Sequence, residues 1–162
     1  MLAGLVPLLT HGTVGYFVAP GQPRQTWTMS ADAAGLDSKT MVSVEKPATI
    51  SGGSPVAILT GPLTGRSAEA VVIAFHGQLH TRSFGAPTYG VPSANDEYPL
   101  PDGATLVLTT AHDADRTGRV YPLTTPIHPD QATSPADINR ADQTPGADEQ
   151  AAMRWLAAQA CS

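Results

Sequence analysis

The stretch from Pro55 to Phe75, P-V-A-I-L-T-G-P-L-T-G-R-S-A-E-A-V-V-I-A-F, constrains the fold of this chain more than any other. The apolar run Val56 to Leu59 is bounded by Thr60, Gly61 and Pro62, and its length and β-branched content suit a short buried strand. After Gly65, the residues Ala68, Val71, Val72 and Phe75 recur at helical spacing, which predicts a helix ending near Gly77. Strand, tight turn and helix therefore follow within one short segment. The start of such a helix leaves backbone N–H groups unpaired and carries partial positive charge, so a hydroxyl or an oxyanion placed there meets donors already in position. On pattern alone, the same segment is also compatible with an ordinary α/β core element.

Length and composition bound the rest. A chain of 162 residues is long enough for one domain with a sizeable core and cramped for two. The formal charge of −5, with no Lys/Arg cluster, argues against nucleic acid as a partner, because phosphate binding depends on releasing counterions to clustered cations. Lys39 and Lys46 are the only lysines, and neither lies near the central segment in sequence. The single cysteine, Cys161, excludes an intrachain disulfide and a thiolate metal cluster. No apolar run approaches the length of a membrane span, and the start, Met1 to Leu9, has no basic region of the kind that opens a signal peptide.

Read in order, Met1 to Leu9 suggests a short helix with Leu2, Leu5, Leu8 and Leu9 on one face. Thr13 to Val18 and Gln25 to Met29 read as a hairpin around Pro20 to Pro23. Asp32 to Gly35 reads as a turn, Met41 to Glu45 as a strand, and Ser51 to Ser54 as a flexible link. His76 and His80 stand one helical turn apart, but Gly77 and the lack of a third ligand favour exposed histidines at a helix end over a metal pair. Thr81 to Asp96 reads as a loop, and Tyr98 to Ala111 as a hairpin around Pro101-Asp102-Gly103. His112, Asp113, Asp115 and Arg116 read as a polar loop that lacks the remaining ligands of a calcium site. Composition marks residues 131–146 as a linker before a helix from about Asp148 to Gln159, dividing the chain into 1–130, 131–146 and 147–162.

Several ordered motifs resemble the carboxyl-terminal processing, or tail-specific, serine proteases. The opening Met1-Leu2-Ala3-Gly4-Leu5 is similar to a segment that follows the family's D-L-R-G-N-x-G-G motif. The turn T-G-R-S-A-E-A is similar to the family's nucleophile turn T-A-S-S-G-E-A, with Thr64, Ser67, Glu69 and Ala70 matching and the catalytic serine falling on Arg66. Gly85, Pro87, Thr88 and Gly90 match its G-E-P-T-x-G loop; the lysine of one subgroup falls on Val91, whereas Ala94 and Asn95 match the subgroup without that lysine. Asp115 to Arg119 and Pro126 to Asp130 resemble further landmarks.

The resemblance implies an α/β fold of the ClpP/crotonase kind, with stacked strands and flanking helices, of which this sequence resembles the C-terminal half. It implies peptide or protein substrates, no cofactor and no metal, and an extracytoplasmic or secreted location. For intact members it implies peptide-bond hydrolysis through an acyl-enzyme. Here the nucleophile's place is taken by a guanidinium, which can neither accept a hydrogen bond nor lose its proton. Ser67 is the nearest hydroxyl, but one residue along a helix turns a side chain by about 100°. Two expectations follow: an impaired peptidase homologue with Ser67 as stand-in nucleophile, or an inactive peptide-binding relative in which Arg66 pairs with a peptide's terminal carboxylate, with Arg66 and Asn95 as the substrate-binding residues. A non-functional gene fragment is a third. The expected partners are a substrate peptide and either the other half of the domain or a second copy of the chain.

Overall fold

A computed structural model describes residues 1–50, 53–134 and 144–159. After a 3-10 turn at Leu2–Leu5 come β1 (Gly12–Val18), β2 (Gln25–Met29), β3 (Ala33–Leu36), β4 (Lys39–Ser43) and β5 (Val56–Thr60). Helix α1 (Ser67–Phe75), β6 (Thr81–Gly85), β7 (Ser93–Pro99), β8 (Thr105–Asp115), β9 (Val120–Tyr121), β10 (Gln131–Ala132) and α2 (Ala147–Gln159) follow. An antiparallel sheet runs β4-β3-β2-β1-β8-β7, with β9 also paired to β8, and a separate parallel sheet runs β10-β6-β5.

The elements stack in layers because each buries the apolar face its sequence pattern provides. Helix α1 lies between the sheets: Val72, Ile73 and Phe75 join Val14, Trp27 and Met29 of the antiparallel sheet in one core, with Val56 and Ile58 of β5 packed against it. The other face of the parallel sheet is covered by α2, where Ala151 and Ala152 meet Phe84, flanked by Ala57 and Trp155. The fold is thus of the α/β kind that the resemblance implies. A parallel sheet needs helices on both faces, and a βαβ crossover such as β5-α1-β6 supplies one of them.

Four local expectations are corrected. The N-terminal segment makes only the short 3-10 turn, consistent with Pro7 lacking an N–H to continue a helix. Asp32 to Gly35 is not simply a turn: Ala33–Leu36 forms β3, because pairing with β2 and β4 on both sides outweighs the low strand propensity of Gly and Ala. Thr81–Gly85 and Ser93–Pro99 are strands at either end of the segment read as a loop. The polar run His112 to Asp115 is the end of β8, not a solvated loop, and Asp113 and Asp115 are buried. Of the expected linker, Gln131–Ala132 forms β10, while residues 135–143 lie outside the described residues. No helix among the described residues is long and apolar enough to cross a membrane.

Candidate functional site

The bend between β5 and α1 forms as the central segment predicts, and its geometry is unusual at one residue. Arg66, the residue before the helix, has φ 53° and ψ −118°. That region is sterically unfavourable for any residue with a Cβ, at a cost on the order of 1–3 kcal/mol, and strained strand-to-helix turns of this kind are a known way to lift one side chain clear of a sheet.

The strain is held by Glu69, one turn into α1 and fully buried. Its Oε2 accepts from the Arg66 N–H at 2.9 Å and the Val91 N–H at 2.9 Å. Its Oε1 accepts from the Gly90 N–H at 2.7 Å and the Thr88 hydroxyl at 2.5 Å. The reach back to residue 66 is half of a capping box; the other half, in which a serine or threonine would accept from the helix, has no counterpart in a guanidinium. The loop after β6 is thereby clamped to the bend. Thr88 extends the network by accepting from the Ile127 N–H at 2.9 Å, and the Tyr89 N–H donates to the Thr64 carbonyl at 2.8 Å. Beneath the bend, Thr60 donates to the Ala86 carbonyl at 2.9 Å. Gly85, at φ 123°, is required there, since a Cβ would lie 2.1 Å from the Thr60 carbonyl oxygen.

The side chains singled out in the sequence divide clearly. Arg66 and Asn95 are brought together: with the Asn95 amide assigned from its surroundings, its oxygen faces Arg66 Nη1 at 3.3 Å and its nitrogen donates to Thr109 Oγ1 at 2.9 Å. Arg66 is exposed, and no carboxylate among the described residues pairs with its guanidinium. Ser67 is exposed in the first turn of α1, and no described residue forms a hydrogen bond with its hydroxyl. Asn95 lines an open groove of about 920 Å³ with Phe17, Arg24, Leu36, Asp37 and Tyr98. Phe17 and Leu36 also line a smaller groove of about 290 Å³, where they meet Trp27, Met41, Val42 and Ala70, the residue four positions beyond Arg66. The larger hollow is therefore linked to the bend through Asn95 and the smaller through Ala70, while Arg66 itself lines neither.

At the other end of α1, His76 Nδ1 lies 2.7 Å from Asp115 Oδ2, close enough for an ion pair when the imidazole is protonated but without the angular alignment of a hydrogen bond. His80 sits four residues on, in a left-handed conformation at φ 55°. Among the described residues, no group of three or more His, Cys, Asp or Glu is arranged to hold a metal.

Two further carboxyls were read only as loop residues. Burial, and then the neighbouring charge of Glu69, push the Asp113 carboxyl up to about 7. Burial also acts to raise Asp115, but hydrogen bonds from the hydroxyls of Thr117 and Tyr121 and the N–H groups of Arg119 and Thr117 outweigh it and hold that carboxyl below its usual value. Burial and the Asp115 partner push the Tyr121 phenol up.

Residues 8–133 match the sequence profile described as Peptidase family S41. The chain belongs to this family. It is 33% identical over 139 residues to a nisin-resistance protein of Lactococcus lactis subsp. lactis, a match covering 84% of this chain and 42% of that protein. A lipoprotein of Streptococcus agalactiae superimposes with a TM-score of 0.71 and 28% identity, covering 98% of this chain and 49% of that one. The photosystem II D1 C-terminal processing protease shares the fold with a TM-score of 0.55 and 15% identity, covering 82% of this chain and 30% of that one. The chain thus spans less than half the length of each of these proteins. Membership of S41 makes the chain a peptidase homologue. Sequence reasoning found the bend, Glu69 as a motif residue and the Gly-Ala-Pro-Thr-Tyr-Gly loop, but not their union; the one available signal was that Thr88 and Gly90 recur with Glu69 in the same motif set.

Proposed function

We propose that this chain is an S41 homologue that binds peptides without cleaving them, and that Arg66 receives the C-terminal carboxylate of a peptide or protein. One observation carries this reading: the strained conformation at the bend belongs to Arg66, so the position that resembles the nucleophile's presents an exposed guanidinium without a carboxylate partner among the described residues. A guanidinium matches a carboxylate with two parallel N–H donors. The adjoining α1 N-terminus, with its partial positive charge, favours the same anion. Asn95, which lines the larger groove, lies 3.3 Å from Arg66 Nη1 and steadies the fork. Peptidase ancestry supports polypeptide ligands. The names of the relatives, a lipoprotein and a nisin-resistance protein, support a cell-envelope or extracytoplasmic setting and a peptide as ligand.

The competing reading makes Ser67 a nucleophile, and its exposure on the first helical turn favours it. An acyl-enzyme needs a base within hydrogen-bond reach of the hydroxyl, and none of the described residues provides one. A fluorophosphonate probe separates the two readings. The binding reading predicts no labelling of the purified chain; labelling that disappears in Ser67→Ala would overturn it.

A further inference from the structure

Asp113 is a buried carboxyl that the site at Arg66 does not itself use. It is 2% exposed, and its buried Oδ1 has no hydrogen-bond partner. Leaving such an atom unpaired is costly, so its presence in the core calls for a physical reason.

Its place in the fold ties it to the bend. The Asp113 N–H donates to the carbonyl of Pro92, a fully buried residue that directly follows Val91. The loop from Thr88 to Pro92 is thus held from two sides: by Glu69 of α1 through Thr88, Gly90 and Val91, and by Asp113 of β8 through Pro92. Where this loop ends β7 begins, pairing Ser93 with His112 and carrying Asn95 to the side of Arg66. Glu69 also accepts from the Arg66 N–H. One carboxylate therefore holds both the strained bend and the loop that delivers Asn95.

The charges around Asp113 are few. Helix α1 presents Glu69, whose charge adds to burial in raising the Asp113 carboxyl to about 7. Strand β9 presents Tyr121 in register with Asp113; its hydroxyl donates to Asp115, and Arg119 lies over its ring. Asp115, two residues along β8, sits among its own donors and beside His76. Phe17 of β1, opposite Asp113, and Pro92 of the loop carry no charge. Among the described residues, no cation pairs with Asp113 or Glu69.

We propose that Asp113 and Glu69 form a proton-operated catch on the Arg66 site. With a proton on Asp113 the pair holds one negative charge, Glu69 keeps its four donors, and bend and loop are fixed. With the proton lost, two carboxylates repel across an interface that supplies no cation. Outward movement of residues 88–92, which admits water to Asp113, then becomes easier. The start of β7 follows the loop, Asn95 leaves the guanidinium, and the site binds more weakly. Because the closed loop keeps the Asp113 proton up to about 7 against an ordinary value of 3.8, opening grows easier as pH rises from about 4 to about 7 and is level above that. What the site binds rests on the reading of Arg66 as a carboxylate receptor; the catch itself is read without ligand.

The test follows amide hydrogen exchange of the full chain from about pH 5 to about pH 8, expressed as protection relative to the intrinsic rate at each pH. Calorimetry runs alongside it with an N-acetylated apolar peptide, whose free C-terminal carboxylate stays ionised throughout. Protection at Gly90 and Val91 is expected to fall at least tenfold between pH 5 and pH 7 and then level, and affinity at pH 8 to be at least threefold below that at pH 5. Asp113→Asn should keep both quantities near their acid-side values, and Asp113→Leu provides the same comparison without a polar group. Flat protection in the unaltered chain, a fall that persists in both variants, or exchange at Gly90 and Val91 no faster than at the amides of β2, which marks global unfolding, would overturn the catch. A looser loop with unchanged affinity would overturn its link to the site. Peptide binding at no pH would remove the reading of Arg66, and exchange at Gly90 and Val91 would still decide the catch.

Discussion

Asp113 and Asp115 stand two residues apart on the same strand and the same face, both buried, yet their surroundings drive them in opposite directions. Asp115 sits in a ring of donors from Thr117, Arg119 and Tyr121, with His76 at 2.7 Å. Asp113 has a buried oxygen, Oδ1, without a hydrogen-bond partner, and it faces the charge of Glu69. Burial alone therefore does not decide what a carboxyl does; the supply of donors does. Glu69 makes the same point from the helix side, because its four donors are what allow it to hold the bend at Arg66.

The largest effect should come from breaking the donor-rich member at the site. Glu69→Ala strands the N–H groups of Arg66, Gly90 and Val91 and the Thr88 hydroxyl, and each buried unsatisfied group costs about 1–3 kcal/mol. A loss of more than about 4 kcal/mol is expected in denaturant melts, with release of the loop from Thr88 to Val91 visible as faster amide exchange there.

The two aspartates should give opposite pH limbs. Asp113 has an ordinary value of 3.8 and is held at about 7 in the fold. Between these values the unfolded chain has lost a proton that the folded chain keeps, so stability falls as pH rises from about 4 to about 7 and then levels. Asp113→Asn should remove that limb and stabilise the protein at about pH 8 by up to about 4 kcal/mol, less where water reaches the site. Asp115, held below 3.8, does the reverse: its contribution is present above the ordinary value and is lost as pH falls through the lowered one. Asp115→Asn should flatten the acid limb and cost about 1–2 kcal/mol at neutral pH. Equal pH profiles for the two variants would erase the contrast.

A smaller effect concerns the strain itself. Arg66→Gly places at φ 53° the residue that tolerates it, so the variant should gain about 1 kcal/mol of stability in thermal melts while losing the guanidinium.

The legible and illegible parts of the sequence divide along the same physical line. Val56 to Phe75 was readable because each residue's pattern agrees with its local role: a short apolar run, breakers, then helical spacing. The end of β8 was not. Asp113 and Asp115 look solvated in isolation, and only pairing with β1 and β9 and the arrival of α1 bury them. At the site, Glu69 stood out only as a match to the nucleophile-turn motif, and three of its four donors come from residues 88–91, about 20 positions away, which no local pattern reports. Arg66 and Asn95 were named separately, and only β7 running alongside β8 sets the amide beside the guanidinium.

The central claim is that a guanidinium at the bend receives a chain terminus. Titration calorimetry of the chain with one apolar peptide, carrying either a free or an amidated C-terminus, tests it most directly. The free acid is expected to bind at least tenfold more tightly, about 1.4 kcal/mol, and Arg66→Gln should abolish the difference. Equal affinity for the two peptides, or no binding of either, would contradict the account.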